Sequence, residues 1–376
     1  MRIGIDARLY GVSDRGIGRY TEKLIYYLEK IDQQNEYYIF LRQDGFNQYQ
    51  PQNKNFHKVL ANFQPYSLKE QIIFPFKLYK YHLDLVHFPH FNVPVFYRKL
   101  FIVTLHDLII TRFPESRRKS TRLPLPIYYL KLFFYNLVLK NALSKSKKII
   151  AVSEATKKDI LEILKVKSEK ISVIYEGVDL LKISNSQCSI SKKIEGAYIL
   201  YVGAAYPHKN LERLLNAFKK LNHPFLKLVL IGKKDFFYQR LEKYNQKLGL
   251  NGKVIFTGEV SDKELVGFYK NALFFIFPSL FEGFGLPGLE AMAYGLPVAA
   301  SSISSLKEIL GEAAYYFNPY NNEEIVEAIE KLTIDESLRE KLKKLGLERV
   351  KQFSWQKMAE KTLEVYEKFS SGFTPN

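Results

Sequence analysis

The sequence predicts an α/β protein made of two doubly wound domains, each built on a parallel sheet. Short apolar segments of strand length alternate with helical segments, a pattern typical of parallel strands covered by helices on both faces. This alternation stops in a polar, Ser-rich stretch at residues 183–195 and then starts again. The length of 376 residues also suits two domains of roughly 150–200 residues each. We therefore expect an N-terminal domain at 1–182, a linker at 183–195 and a second domain at 196–354.

In the first domain we predict five strands and two helices. The strands lie at 2–6, 37–41, 83–88, 101–107 and 148–153. Helical patterns cover 20–30 and 154–164, and Ser153 is placed to cap the second of these. Gly16 and Gly18 follow the first strand and are interpreted as part of a loop.

The second domain repeats the same alternation. It opens with a strand at 198–203 and a helix at 211–221, and we predict further strands at 227–232, 253–258, 272–278 and 297–301. The final segment, 355–376, contains an amphipathic helix that could pack on either domain, including back on the N-terminal one. Because open α/β sheets bind ligands at the carboxyl ends of their strands, two such domains predict a ligand cleft between them.

Composition excludes several classes of protein. With 47% hydrophobic residues the chain is not globally disordered. No apolar run reaches the roughly 18–20 residues of a membrane span, and the N-terminus lacks a secretory signal pattern. The single cysteine, Cys188, excludes an intramolecular disulfide framework and a Cys-based zinc site. We therefore expect a cytoplasmic protein.

The net charge of +17 is concentrated in the first half, where residues 1–190 contain 30 Lys/Arg and 17 Asp/Glu. A basic surface indicates an anionic partner such as nucleic acid, anionic lipid or a phosphorylated substrate. The stretch 112–148 contains ten Lys/Arg and one acid, Glu115, interleaved with aromatic residues. Such a stretch is typical of a membrane-surface element, although a core helix with a solvated basic face is equally open. No nucleic-acid-binding motif is evident, and we expect no nucleic acid partner.

The most informative stretch is a Gly-rich loop that follows a predicted strand and enters a helix at Pro287. Glu282 lies in this loop and Glu290 follows eight residues later. Two carboxylates at this spacing could bind a polyol at two points, because carboxylates accept hydrogen bonds from sugar and ribose hydroxyls. The alternative is that Glu290 only complements the helix dipole and Glu282 is a solvated loop charge.

In this stretch the sequence resembles the retaining glycosyltransferases of family 4. Their GT-B fold consists of two Rossmann-like doubly wound domains facing across a cleft, and the resemblance implies that 1–182 is the acceptor-side domain and 196–354 the nucleotide-sugar donor domain. Glu-Gly-Phe-Gly-Leu-Pro followed by Glu290 looks like that family's Glu-x7-Glu signature. The other matching segments follow in family order at 4–8, 16–20, 104–108, 151–154, 175–179, 201–203, 209–211 and 256–258.

The resemblance implies roles for the residues of the signature. Glu282 would hydrogen-bond the donor sugar, and Glu290 would hold the nucleotide ribose. The backbone N–H groups of Phe284, Gly285 and Leu286 would contact sugar hydroxyls or the diphosphate.

Lys209 would neutralise the β-phosphate as the leaving group departs, since a fixed cation stabilises the charge that develops there. Taken alone, Lys209 could equally be a solvated lysine at a helix start. Many family members pair this lysine with an arginine, but the loop 203–208 contains none. His208 or Arg213 could partly replace that arginine.

Three further positions complete the expected site. By resemblance, His106 lies beside the anomeric centre of the donor, although a lone histidine is usually structural. Gly16 and Gly18 would approach the diphosphate, with a plain turn as the alternative, and Gly258 is expected on the donor side.

The resemblance implies a retaining transfer of a hexose from a nucleotide-sugar, GDP-mannose first and a UDP-sugar next, as in bacterial cell-surface polysaccharide synthesis. The acceptor would be a glycan or a lipid-linked saccharide at the inner face of the plasma membrane. No Asp-x-Asp occurs, so we expect no metal, and we expect no cofactor. A nucleic-acid-binding protein without catalysis, and a sugar-nucleotide epimerase or phosphorylase on the same fold, remain the alternatives.

Overall fold

The computed structural model describes residues 1–11, 15–113, 121, 124–179 and 194–369. The chain divides into two compact units. Unit 1 comprises residues 1–108, 123–177 and 354–376, and unit 2 comprises residues 109–122 and 178–353. The predicted linker at 183–195 lies outside the described residues apart from Ile194 and Glu195, and Cys188 lies outside them as well.

Unit 1 is built on a sheet of seven parallel strands in the order β3-β2-β1-β4-β5-β6-β7. The strands are β1 (Arg2–Asp6), β2 (Glu36–Leu41), β3 (Phe56–Leu60), β4 (Leu85–Phe88), β5 (Phe101–Leu105), β6 (Lys148–Ala151) and β7 (Ile171–Val173). The sequence predicts only five of them, since β3 and β7 are short strands at the two edges of the sheet. Each is only partly buried, so neither has the continuous apolar run that marks a central strand.

The helices up to residue 164 are α1 (Arg15–Ile31), α2 (Gln43–Gln48), α3 (Leu68–Tyr79), α4 (Ile109–Arg112), α5 (Leu125–Lys145) and α6 (Glu154–Leu164). The side-chain oxygen of Ser153 accepts a hydrogen bond from the Thr156 N–H and caps α6. The prediction that Gly16 and Gly18 lie in a loop is wrong, because both belong to the first turn of α1. Glycine costs a helix about 1 kcal/mol, and burial of the apolar face of α1 offsets that cost.

The last helix of the chain, α14 (Trp355–Glu367), belongs to unit 1 and packs against α1. Trp355 and Tyr366 are fully buried there. A hydrogen bond of 2.6 Å joins the Tyr366 hydroxyl to Nδ1 of His87 on β4, and Nε2 of His87 lies 2.8 Å from the Thr104 hydroxyl on β5. Burial lowers the pKa of His87 to about 3, so this network is uncharged at neutral pH.

Unit 2 is built on six parallel strands in the order β10-β9-β8-β11-β12-β13. They are β8 (Tyr198–Val202), β9 (Lys227–Ile231), β10 (Val254–Gly258), β11 (Phe274–Phe277), β12 (Val298–Ser301) and β13 (Ala314–Phe317). Five of these match predicted strands, and the edge strand β13 is the addition. The helices are α7 (Leu211–Lys220), α8 (Phe236–Leu248), α9 (Asp262–Asn271), α10 (Leu286–Ala293), α11 (Ser304–Leu310), α12 (Asn322–Ile334) and α13 (Glu336–Arg349).

Each sheet reverses its strand order once. In unit 1 the reversal lies between β1 and β4, and in unit 2 it lies between β8 and β11. The connections that leave two such neighbouring strands diverge to opposite faces of the sheet and open a crevice at the carboxyl ends. The fold therefore provides one ligand position in each unit.

Candidate active site

In unit 2, the loops that leave β8 and β11 are tied together at the reversal point. Lys209 ends a 3₁₀ turn (Pro207–Lys209) and is followed by Asn210, whose backbone adopts a left-handed φ of 62°. The side-chain amide of Asn210 donates to the carbonyl of Pro278 (3.1 Å), just after β11, and to that of Pro319 (2.8 Å). These bonds set the position from which Lys209 projects.

Lys209 and Glu282, two of the site residues that the sequence predicts separately, are brought together. Lys209 Nζ lies 2.7 Å from Glu282 Oε1, and the two side chains are only 17% and 10% exposed. An ion pair this shielded from water interacts more strongly than one on the open surface. The pair therefore presents a fixed cation and a fixed carboxylate at the carboxyl edge of the sheet.

The Gly-rich turn between Glu282 and α10 depends on Gly285. Its φ of 104° is a conformation that L side chains rarely adopt, and a Cβ there would lie 2.5 Å from Leu306 Cδ2. Phe284 beside it is buried and packs edge-to-face on Phe353. Leu286 is the first residue of α10, and the first N–H groups of a helix have no carbonyl partner within that helix. The turn thus places a helix N-terminus beside the Lys209–Glu282 pair.

Glu290 lies one turn into α10, where its carboxylate accepts a hydrogen bond of 3.3 Å from the Tyr269 hydroxyl. The Tyr269 ring is buried and stacks on Tyr294, with centroids 5.3 Å apart. Tyr269 therefore orients Glu290. Tyr269 could not be recognised as a partner of Glu290 from the sequence, because it lies 21 positions upstream on the helix α9.

Gly258 ends β10 with a φ of 82° and packs beside the side chain of Lys234. It lies at the same carboxyl edge as Lys209 but is separated from β8 by the intervening strand β9.

Of the two residues considered as a second cation beside Lys209, His208 is neutral and Arg213 is hydrogen-bonded to other groups. Burial, and then the charge of Lys209, lower the pKa of His208 to about 3, so His208 is neutral at physiological pH. The Arg213 guanidinium donates to the carbonyl of Tyr320 (2.9 Å) and to Asn322 Oδ1 (3.4 Å).

In unit 1, His106 follows β5 with both ring nitrogens 3.0 Å from acceptor oxygens. Nδ1 faces Glu176 Oε1 and Nε2 faces the carbonyl of Pro89. These two contacts fix the orientation of the imidazole ring at the end of β5. Glu176 belongs to the matched segment 175–179, yet the sequence assigns it no role.

Gly16 and Gly18 lie in unit 1 as well. Gly16 is exposed, with open space around the position that a Cβ would take, and Gly18 is buried.

Two family models match this chain. "Glycosyltransferase Family 4" matches residues 15–181, and "Glycosyl transferases group 1" matches residues 186–349. The chain is 32% identical over 230 residues to the O-antigen chain mannosyltransferase RfbU of Salmonella typhimurium, covering 61% of this chain and 59% of that protein. It is 29% identical over 298 residues to the O-antigen chain mannosyltransferase B of Escherichia coli, covering 75% and 74%. The match thus spans about six tenths of the length of the first relative.

Solved structures share the fold over nearly the whole chain. The sucrose-phosphate synthase of Thermosynechococcus elongatus superposes with a TM-score of 0.79 at 21% identity, covering 99% of this chain and 100% of that one. Anabaena HepE in complex with UDP and glucose superposes with a TM-score of 0.73 at 17% identity, covering 97% and 99%. These matches support neither a nucleic-acid-binding protein nor an epimerase. Since the two family models together account for most of its length, the chain belongs to the family 4 glycosyltransferases and has the GT-B fold.

Proposed function

We propose that this chain transfers a hexose from a nucleoside-diphosphate sugar to a glycan or a lipid-linked saccharide. Mannose is the favoured hexose and GDP-mannose the favoured donor, because both relatives described above are named mannosyltransferases. A UDP-sugar is the second choice, and the structure of Anabaena HepE with UDP supports a nucleotide of this kind.

The observation that carries the proposal is the Lys209–Glu282 pair at the strand reversal of unit 2. Transfer breaks the bond between the anomeric carbon and the β-phosphate oxygen, which leaves negative charge on the diphosphate. Lys209 would stabilise that charge as it develops. Glu282 would accept a hydroxyl of the sugar, and Glu290, held by Tyr269, would accept the ribose hydroxyls.

The remaining donor contacts follow from the same placement. The N–H groups of Phe284, Gly285 and Leu286 would bind the diphosphate or sugar hydroxyls, since the N-terminus of α10 favours anionic groups. Gly258 would lie at the margin of this donor site.

For unit 1 we propose that His106, held by Glu176 and Pro89, lies beside the anomeric centre of the donor. Gly16 and Gly18 would offer the first turn of α1 to the diphosphate.

Retention of the anomeric configuration is part of the proposal. The acceptor hydroxyl would attack the anomeric carbon from the face that the diphosphate leaves, and its proton would pass to the departing phosphate oxygen. Lys209 and the helix N-terminus would then do what a metal ion does in other glycosyltransferases, so the reaction would proceed without a metal or a cofactor.

The test is a thermal-unfolding panel with GDP, UDP, ADP and their common sugar conjugates, each with and without EDTA. A ligand at about one hundred times its dissociation constant stabilises the native state by about 2.7 kcal/mol. We expect a rise of a few degrees with one nucleotide, GDP first, unchanged by EDTA. The absence of a shift with every nucleotide would contradict the proposal, and a shift that EDTA removes would contradict metal independence.

We further propose that α5 docks on an anionic membrane surface, where a lipid-linked acceptor would be presented. Seven large apolar side chains of this helix are more than 40% exposed: Leu125, Ile127, Tyr129, Leu130, Phe133, Phe134 and Leu137. Exposed lysines, among them Lys131 and Lys140, accompany them. Apolar side chains enter the lipid interface while lysines bind anionic headgroups, so the composition of this helix suits such a surface.

Part of the basic 112–148 stretch, at 114–120 and 122–123, lies outside the described residues. Among the described residues, none of the helices is long and apolar enough to cross a bilayer.

Vesicle flotation tests this docking. The protein should float with phosphatidylglycerol-containing vesicles at low salt. It should remain at the bottom of the gradient with vesicles of neutral phosphatidylcholine alone. The double variant Phe133→Ser/Phe134→Ser should lose most of the binding, because it removes two apolar side chains that are 62% and 50% exposed. Phe225→Ser, at an 80% exposed position in unit 2, is the matched control. Equal flotation of all three proteins, or none at low salt, would contradict the docking.

A further inference from the structure

Four buried polar side chains form a hydrogen-bonded network across the core of unit 1, which we call the core network. It begins at Tyr366 on α14, whose hydroxyl lies 2.6 Å from Nδ1 of His87. Nε2 of His87 lies 2.8 Å from the Thr104 hydroxyl, and that hydroxyl lies 3.2 Å from the hydroxyl of Tyr20 on α1. All four side chains are completely buried. No step of the proposed transfer uses any of them.

The last member of the core network, Tyr20, contacts the ring of His106. The centroids of the two rings are 4.8 Å apart and their planes stand at 86°, an edge-to-face arrangement. The polar contacts of His106 with Glu176 and with the Pro89 carbonyl are made by its two ring nitrogens. Because both contacts lie close to the ring plane, they restrain rotation within that plane more than tilt about the line through the nitrogens. The contact with Tyr20 restrains that tilt.

His87 and Thr104, in the middle of the core network, are the polar residues of two otherwise apolar strands. β4 has four residues and β5 has five, and all of them except these two are apolar. Apolar side chains of similar size would fill the same space without hydrogen bonds, whereas a buried polar group must keep its partner. A buried network whose members are paired therefore specifies one arrangement of the elements that carry it. Here those elements are β4, β5, α1 and α14.

The core network is neutral at physiological pH. Burial lowers the pKa of His87 to about 3, and it raises the pKa of the Tyr20 and Tyr366 hydroxyls. A neutral imidazole has one nitrogen that donates and one that accepts. The two hydroxyl partners of His87 therefore play different roles, since one accepts from the ring and the other donates to it. Loss of either hydroxyl leaves a buried ring nitrogen without its partner.

We propose that Tyr20 is a positioning residue for His106. The Tyr366 hydroxyl, acting through His87 and Thr104, holds Tyr20 in place. The inference rests on the proposed function, in which His106 lies beside the anomeric centre of the donor. It gives α14 a part in the transfer step although α14 itself does not touch the reacting atoms. A network that only stabilises the fold would affect unfolding alone, whereas a positioning network also affects turnover and the surroundings of the His106 ring.

Histidine NMR on the ligand-free full chain tests the positioning. The protein is labelled isotopically at histidine Cε1, and the signal that disappears in His106→Gln is that of His106. Tyr366→Phe and Tyr20→Phe each remove one hydroxyl and should shift this signal, because the ring current of Tyr20 acts on the imidazole. Tyr49→Phe is the matched control, since the buried Tyr49 hydroxyl donates to Glu29 at 2.6 Å in unit 1, outside the core network. A His106 signal at its wild-type position in folded Tyr366→Phe would overturn the inference.

Kinetics test the consequence for transfer. Tyr366→Phe and Tyr20→Phe should each lower the turnover number roughly three- to tenfold, the effect of one buried hydrogen bond, with the KM for the donor unchanged. The measurement is the release of GDP from GDP-mannose, or of the nucleotide from whichever sugar nucleotide the thermal panel selects. In the His106→Gln background the same substitutions should have no further effect, because they act only through that ring. Tyr49→Phe should keep wild-type turnover.

Two outcomes separate this inference from the proposed function. Wild-type turnover in folded Tyr20→Phe and Tyr366→Phe, or a full additional loss in the His106→Gln background, would overturn the positioning and leave the role of His106 intact. Wild-type turnover in His106→Gln would instead contradict the role of His106 in the proposed function, and the inference with it. Thermal unfolding is measured for every variant, so that loss of the fold is not mistaken for loss of position.

Discussion

Replacing Lys209 with alanine is expected to lower the turnover number about a hundredfold or more. The variant removes the cation that lies 2.7 Å from Glu282 and that we place against the departing diphosphate. A group that stabilises charge only as it develops acts on the transition state, and its loss typically costs this much. The measurement is the release of nucleoside diphosphate from the sugar nucleotide that the thermal panel selects.

Two further lysine variants test whether the loss of turnover is specific to the charge of Lys209. Lys209→Arg keeps the charge and should recover part of the activity. Lys220 forms an ion pair of the same length, 2.7 Å, with Glu323 at an exposed position of unit 2, so Lys220→Ala should change turnover little. Thermal unfolding must be followed in parallel, because Lys209→Ala leaves the shielded Glu282 without its cation. Turnover near the wild-type value in a folded Lys209→Ala protein would refute the role of Lys209.

Replacing Glu290 with alanine is expected to reduce turnover by about two orders of magnitude as well. The carboxylate is proposed to accept the ribose hydroxyls, and a hydrogen bond to a charged group contributes about 1.5–3 kcal/mol. The nucleotide should also bind more weakly, so the stabilisation seen in the thermal panel should shrink. Steady-state kinetics and the thermal panel together measure both effects.

Tyr269→Phe is the graded comparison for Glu290. It removes the hydroxyl that donates to Glu290 but leaves the carboxylate and the ring stack on Tyr294. We expect a smaller loss than in Glu290→Ala, since the acceptor remains and only its orientation is relaxed. Wild-type nucleotide binding in Glu290→Ala would show that the ribose lies elsewhere.

Much of the fold could be predicted because the central strands are buried on both faces and therefore read as apolar runs. Phe274–Phe277 is an example, with all four residues buried. The edge strands were not predicted for different reasons: His57 and Lys58 interrupt the apolar run of β3, whereas β7 and β13 are only three and four residues long and partly buried. The sequence analysis starts α1 too late, at residue 20, because Gly16 and Gly18 have a low helix propensity and are typical of loops. In the folded protein the packing of α1 outweighs that low propensity, and the helix begins at Arg15.

At the site, Lys209 and Glu282 are 73 positions apart, and their contact follows only from strand order. Residues that orient a site residue through a hydrogen bond could not be recognised from the sequence around them. Glu176 beside His106 and Tyr269 beside Glu290 come from distant elements, and their bonds appear only once the chain is folded. Arg213 was considered as a second cation because it is close in sequence to Lys209, but its guanidinium is engaged by Tyr320 and Asn322.

The position of α14 in unit 1 has a consequence for synthesis of the chain. Unit 1 begins at residue 1, yet its final helix and the Tyr366 partner of His87 are encoded after the whole of unit 2. On the ribosome, unit 2 has all of its residues before unit 1 does, which reverses the usual N-to-C order of domain completion. The face of α1 that receives α14 therefore stays uncovered until α14 emerges. A stop codon between unit 2 and α14 would leave unit 1 incomplete although its synthesis starts first.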